Sequence, residues 1–384
     1  MADLFRRTKR FLERITRNYY ERKTPHVPND FMLREFAAQT WHSRSYIRHM
    51  AFQSIEEIKK FLVTKAPRHF YYSSARYNQP EANDMELKGW RSADLVFDID
   101  ADHLPECTDK VIEIKIEASG EKTSLVDDEC IERASLRALN LRDILVYELG
   151  IDEKRIAIEF SGNRGFHVTA YLDDNNELAK SGSDVRRELV NYIKAIDLLD
   201  ESLEPWRQLS LRRGRPSPIP PSPLSGGVRG RLARIMVRLA QQRGLTSIVA
   251  KLYKFQSQKT TMLYENALKD LEQEARELIG VEIDEQVTID TSRLIRAPWS
   301  LNGKTMLPVM PLDEHMLIRF KLSAHISPFA NMEPVRVRML TNIPTSIKIL
   351  GTRMSLKKDD RPKLDAPLAL YLLSKGLAII EQEG

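Results

Sequence analysis

The chain of 384 residues has only two cysteines, Cys107 and Cys130. Two are too few for a disulfide framework or an iron–sulfur cluster, and the expectation is a reducing compartment. No run of 18 apolar residues occurs, which excludes an ordinary membrane-spanning helix. The N-terminal stretch Met-Ala-Asp-Leu-Phe-Arg-Arg-Thr-Lys-Arg10 has no apolar signal core, so a soluble cytoplasmic protein is expected. A strong charge of one sign is missing as well. Against 54 acidic residues stand 59 basic ones, a formal net charge of +5, so the placement of charge matters more than its sum. Internal repeats are absent. A P-loop is absent too: Gly303-Lys-Thr305 has Pro298 where that motif needs its first glycine.

What is present is ample apolar material. At 42% hydrophobic residues the chain can bury a sizeable core, in one large or two domains. Phe5, Leu12, Ile15 and Tyr19 recur at helical spacing over residues 3–21, among basic residues Arg6, Arg7, Lys9 and Arg10. Ser54 is placed to cap a helix through Leu62. Strand patterns cover His69–Ser73, residues 110–118 and Arg155–Phe160; helix patterns cover 128–149, 183–199, 229–243, 260–280 and 366–381. Residues 212–227 are rich in Pro, Gly and Ser and predict an exposed loop. Arg212, Arg213, Arg215, Arg229 and Arg231 around it are candidates for nucleic-acid contact, as is the basic N-terminal helix; a solvated face is the plainer reading of both. The mixture predicts an α/β or α+β core with a helical insertion.

Three clusters carry chemistry. The first is Ala93-Asp-Leu-Val-Phe-Asp-Ile-Asp-Ala-Asp102. Its apolar residues read as a buried strand, and strand alternation puts Asp98 and Asp100 on one face. Adjacent carboxylates repel, and a hard divalent cation such as Mg²⁺ or Mn²⁺ resolves that conflict. A strand running into an acidic turn is the competing reading. The second cluster is Phe160-Ser-Gly-Asn-Arg-Gly-Phe-His-Val168. Its glycines permit a tight turn with exposed N–H groups, and Ser161, Arg164 and His167 add donors and charge suited to a triphosphate. A plain hairpin is the alternative. The third runs from Asp284 to Thr305, with Asp284 or Asp290 as a further carboxylate and Arg293, Arg296 and Lys304 as cations. Together the three make a two-metal phosphoryl-transfer site, one metal activating a hydroxyl and both stabilising a leaving pyrophosphate.

The chain resembles the small, catalytic subunit of archaeal and eukaryotic-type DNA primase. The resemblance rests on Arg34-Glu-Phe36, Tyr46-Ile-Arg48, Phe70-Tyr-Tyr-Ser-Ser74, Phe97-Asp-Ile-Asp-Ala-Asp-His103, Ser161-Gly-Asn-Arg-Gly-Phe-His167 and the block Asp284 through Thr305, in family order. The combination is archaeal in character. It implies a primase-type mixed-sheet catalytic core over 1–182 and 281–345, a helical subdomain over 183–280, and a C-terminal tail and helix over 346–384. It also implies that Asp98, Asp100 and Asp284 hold Mg²⁺ or Mn²⁺, with Asp290 as runner-up for the third place. Arg48, Ser161, Gly162, Arg164, His167, Arg296 and Asn302 are implied as nucleotide contacts, and Glu35 matches an acidic position nearby.

The resemblance further implies partners: a large subunit bearing an iron–sulfur cluster, a single-stranded DNA template and nucleoside triphosphates. Asn163 and Asn302 depart from the family, which often has Arg and His there. The family's zinc knuckle is represented only by His103, Cys107 and Cys130, one ligand short of a structural zinc site, so zinc and a pair of plain thiols both stay open. The implied activity is template-dependent synthesis of short primers with pyrophosphate release. Two alternatives remain: a primase-polymerase of repair or plasmid replication, and a non-catalytic nucleic-acid-binding subunit. Tyr71 and Tyr72 read as sheet packing rather than base-stacking residues.

Overall fold

The computed structural model describes all residues except 1, 117–119, 121, 197–208, 213–214, 219–221, 255–265 and 382–384. It divides into two compact units. The first comprises residues 1–138, 157–183 and 284–384, and the second 139–156 and 184–283.

In the first unit the amphipathic pattern at the N-terminus becomes the helix Ala2–Arg22. Phe11, Leu12, Ile15, Tyr19 and Tyr20 are buried, while Arg6, Arg7, Lys9 and Arg10 are exposed. Tyr19 donates to the Trp299 carbonyl at 2.8 Å, and the Thr8 hydroxyl accepts from the Ile380 N–H at 3.1 Å. The helix Ile55–Lys65 starts at Ser54, whose side chain accepts from the Glu57 N–H. One sheet has the order Leu294–Arg296, His69–Ser73, Phe36–Gln39, Tyr46–Met50. A second has the order Met310–Pro311, Ile156–Phe160, Gly165–Ala170, Leu95–Asp100. The described registers in both are antiparallel where a mixed sheet was expected, so α+β is the better of the two labels.

The C-terminal residues belong to this unit too, and their expected single helix is a correction. The helix Ala366–Ser374 ends where Gly376 takes φ +74, and Ala378–Ile380 then runs as a strand beside Val335–Met339. An L-residue resists that left-handed backbone, so the glycine sets the break.

The second unit is built on the helices Gly227–Gln242, Thr246–Lys254 and Asn266–Glu277. Leu232, Met236, Leu252, Leu268 and Leu271 form its apolar core. Arg231 was a candidate for nucleic-acid contact, but it is buried and pairs with Glu148 at 2.9 Å. A guanidinium fixed in that way is held for packing, not presented to a strand. Arg213 lies outside the described residues, as do the side chains of Arg212 and Arg215. Within the expected loop, Arg215–Pro218 pairs with Leu209–Arg212 as a two-stranded ribbon. Such a ribbon consists only of edges, where proline is tolerated. No helix among the described residues is long and apolar enough to cross a membrane.

Candidate active site

The strand Leu95–Asp100 buries Leu95, Val96, Phe97 and Ile99 and leaves Asp98 and Asp100 partly open on one face. Its neighbour Gly165–Ala170 sets Gly165 opposite Asp100 and His167 opposite Asp98. Gly165 has no room for a side chain, since a Cβ there would lie 2.0 Å from the Ile99 carbonyl oxygen. Gly162 turns the loop with φ +74, and a Cβ would meet Asn302 and the Leu307 carbonyl at 2.9 Å. The glycines of the second cluster therefore fix how closely the loop lies on the aspartate strand.

The third cluster docks on the same strand by its backbone. The Asp284 N–H donates to the Asp98 carbonyl at 2.9 Å, and the Thr288 hydroxyl donates to the Val96 carbonyl at 2.9 Å. The Asp284 side chain caps the short helix Glu285–Ile289. Asp290 is turned inward on Ser292, accepting from its N–H at 2.8 Å and its hydroxyl at 2.7 Å.

These elements enclose a cavity of about 510 Å³. Asp98, Asp100 and Asp284 line it together with Arg48, Ser161, Arg164, His167 and Arg296, so eight of the expected residues meet there. Asp290, Tyr46, Arg293 and Lys304 line it as well. Tyr46 stands two residues before Arg48 on the strand Tyr46–Met50, and that spacing is the sequence signal for it. Lys304 was visible as the cation of Gly303-Lys-Thr305.

The electrostatics centre on Asp98. Burial, Asp100 and Asp284 push its carboxyl well above the usual carboxylate range, and Arg296 and Arg164 offset this only in part. Among the described residues its Oδ1 has no hydrogen-bond partner; His167 Nε2 is 4.0 Å away. Asp100 is neutralised by Arg164 at 2.8 Å, and Arg164 also holds Asp102 at 2.6 Å. The cluster thus has the character of a cation site, with a buried carboxylate oxygen still unsatisfied. No group of three His, Cys, Asp or Glu side chains among the described residues already forms a metal cage. Mg²⁺ commonly takes one or two carboxylates and completes its shell with phosphate and water, which suits this pair.

Several expected roles change. His167 was expected to add positive charge. Burial and the nearby Arg296 and Arg293 instead push its imidazole down to about 3, so it is neutral at ordinary pH and offers hydrogen bonding only. Asn302 was expected to touch nucleotide. It is fully buried, donates to the Ser161 carbonyl at 2.9 Å and accepts from the Lys304 N–H at 3.0 Å. Its amide is occupied in joining the glycine loop to the Asn302–Thr305 turn. Glu35 does not line the cavity; it binds Lys88 and Arg48, each at 2.7 Å.

Cys107 and Cys130 form a disulfide, with Cα atoms 5.9 Å apart. This overturns the expectation of unpaired cysteines and removes the zinc reading with His103, because disulfide sulfurs are not thiolate ligands.

Comparison with known proteins settles the family. The profile described as "DNA primase small subunit" matches residues 97–314. A protein named DNA primase small subunit PriS from Hyperthermus butylicus is 55% identical over 377 residues, covering 98% of each chain. The chain belongs to the DNA primase small subunit family. Another family member, PriS of Sulfolobus acidocaldarius, is 32% identical over 97% of this chain and 95% of its own. PriS of Pyrobaculum calidifontis is 35% identical over 94% and 96%. Among solved structures, the polymerase domain of Mycobacterium tuberculosis Ligase D in complex with DNA covers 79% of this chain and 82% of its own, with 12% identity and a TM-score of 0.33. That likeness is too distant to carry any argument about this family member.

Proposed function

We propose that this chain is the catalytic subunit of a DNA primase, joining nucleoside triphosphates into short primers on a single-stranded DNA template. The reading is carried by the family membership and by one observation: the unsatisfied Oδ1 of Asp98, with Asp100 and Asp284, in a cavity that Arg48, Arg164, Arg293, Arg296 and Lys304 also line.

The division of labour follows from the side chains. Asp98 and Asp100 would hold Mg²⁺ or Mn²⁺, with Asp284 as the third carboxylate. Such a cation, when bound, supplies Lewis-acid activation of a 3′-hydroxyl and neutralisation of the phosphates. Ser161, Arg164 and Lys304 would bind the β- and γ-phosphates, with Arg48 and Arg296, which line the same cavity, adding charge. Neutral His167 would donate or accept a hydrogen bond without adding positive charge beside the cation. A large subunit with an iron–sulfur cluster and a cytoplasmic location complete the proposal.

The test is primer-independent incorporation. The purified chain is incubated with single-stranded DNA, labelled nucleotides and Mg²⁺ or Mn²⁺, beside the Asp98→Ala/Asp100→Ala double variant. Labelled oligomers from the native chain alone support the reading. Extension of a supplied primer with no unprimed synthesis points instead to a primase-polymerase of repair, or to initiation that needs a partner. Synthesis by the double variant overturns the site assignment.

A further inference from the structure

A second cavity, of about 310 Å³, lies beside the first and shares Asn163, Arg164 and Lys304 with it. Its own walls include Arg68, Lys122, Ser124 and Lys375. Five of its lining side chains are Lys or Arg, against a single acid, Glu113.

Lys375 is its most informative member. It caps the helix Ala366–Ser374 at the C-terminal end, and Gly376 turns the chain away immediately after it. Its Nζ donates to the Ser124 carbonyl at 3.0 Å and to Asn163 Oδ1 at 3.3 Å. An ammonium has three donors, and these bonds to the described residues use two. Burial, with Lys304 and Arg164 close by, lowers this amine to about 7. Lys304 is likewise held below the usual lysine range by loss of hydration, Arg296 and Arg164. Cations crowded in this way favour a polyanion.

We propose that this second cavity is a pyrophosphate subsite, which takes the leaving diphosphate from the Arg164–Lys304 end of the nucleotide cavity onto Lys375. The proposal rests on the nucleotidyl-transfer reading above. Diphosphate concentrates several charges on few atoms and fits a small concave site dense in cations. A nucleic-acid strand spreads one charge per phosphate along its length and calls for an extended groove. The residues shared by the two cavities lie where a triphosphate's outer phosphates would sit, so the product need not cross the aspartates to reach Lys375.

The experiment is calorimetric titration of inorganic pyrophosphate into the native chain, Lys375→Met and Lys122→Gln. Lys122 is exposed on the cavity wall, so its variant serves if Lys375→Met does not fold. Lys375→Met is expected to weaken binding by about tenfold, and Lys122→Gln by about threefold. Fluorescence anisotropy of an oligothymidylate should change by less than about twofold in either variant. The proposal is overturned if the native chain binds no pyrophosphate, or if folded variants bind it like the native chain. It is also overturned if oligonucleotide affinity falls in step, which would give the cavity to strand phosphates. Because binding needs no synthesis, a chain that makes no primers but loses pyrophosphate affinity on Lys375→Met would retire the activity and keep the subsite.

Discussion

Asp94 and Asp98 stand four residues apart, and the chain treats them in opposite ways. Asp94 is fully buried and its charge is answered: Arg34 pairs with one oxygen at 2.7 Å, while Arg76 at 2.9 Å and the Leu172 N–H at 3.1 Å hold the other. Asp30 and Asp174 extend this group, binding Arg34 and Arg76 respectively, both at under 3 Å. Around Asp98 the acids Asp100 and Asp284 outweigh Arg296 and Arg164, and its Oδ1 has no hydrogen-bond partner among the described residues. A buried carboxylate ringed by guanidinium groups is architecture, because its charge is already answered. One left beside two other carboxylates is costly to the fold while ionised, and a proton or a cation must answer it.

The sharpest way to break this contrast is to neutralise each aspartate in turn. Asp98→Asn should reduce nucleotide incorporation by on the order of 10³-fold. It should leave the melting temperature unchanged or raised, since it removes repulsion from Asp100 and Asp284. Asp94→Asn should do the reverse. It strips the shared anion from two buried guanidinium groups and should cost about 3–5 kcal/mol of stability. Denaturant melts and single-nucleotide incorporation on both variants decide the matter. An Asp98→Asn chain that is active, or an Asp94→Asn chain as stable as the native one, would abolish the distinction.

Protons sharpen it next, because the site's carboxylate and a structural one respond with opposite sign. Burial, Asp100 and Asp284 raise Asp98, so the fold holds that proton more tightly than the unfolded chain does. The stability this gives is full below the ordinary carboxylate range and is lost as pH rises towards about 8. Glu35 behaves oppositely. Burial works to raise it, but Arg48, Lys88 and the His49 N–H prevail and hold it down to about 2. Its contribution is full above the unfolded value of 4.5 and fades as pH falls towards 2. A divalent cation must displace the Asp98 proton, so stabilisation by Mg²⁺ should grow from about pH 6 to about pH 8 and vanish in Asp98→Asn. Equal Mg²⁺ stabilisation at both pH values, or in the variant, would count against a cation at Asp98. Glu35→Gln should remove stability above about pH 5 and flatten the acid limb of the profile.

How much of this was legible in the sequence depends on how local each signal is. The aspartate face needed only strand alternation, and the N-terminal helix only the spacing of Leu12, Ile15 and Tyr19. Eight expected residues converge because their motifs are short and each lies on or beside a strand of the two sheets. What escaped was tertiary. The Cys107–Cys130 pairing spans 23 residues and joins the 3₁₀ segment Pro105–Lys110 to the start of the helix Asp128–Tyr147, which no spacing rule announces. Arg231 looks solvated in sequence and meets Glu148 only after folding. His167 looks cationic until burial and two arginines remove its charge.

Asn302 gives the smallest expected effect and the finest test, since it lies in a functional motif yet has both its amide donor and its amide oxygen engaged by protein groups. Its side chain links Ser161 to Lys304, and both of those residues line the cavity. Asn302→Ala leaves the buried Ser161 carbonyl without that donor, at a cost of about 1–3 kcal/mol. The loop and the Lys304 turn then lose their common anchor, so kcat should fall and the nucleotide KM rise together, each by several-fold, alongside a lower melting temperature. A residue that contacts phosphate directly would behave differently: KM would rise with the melting temperature unmoved. Steady-state kinetics and a thermal melt on this one variant therefore separate positioning from contact, and they show whether the satisfied class of polar residues extends into the motif itself.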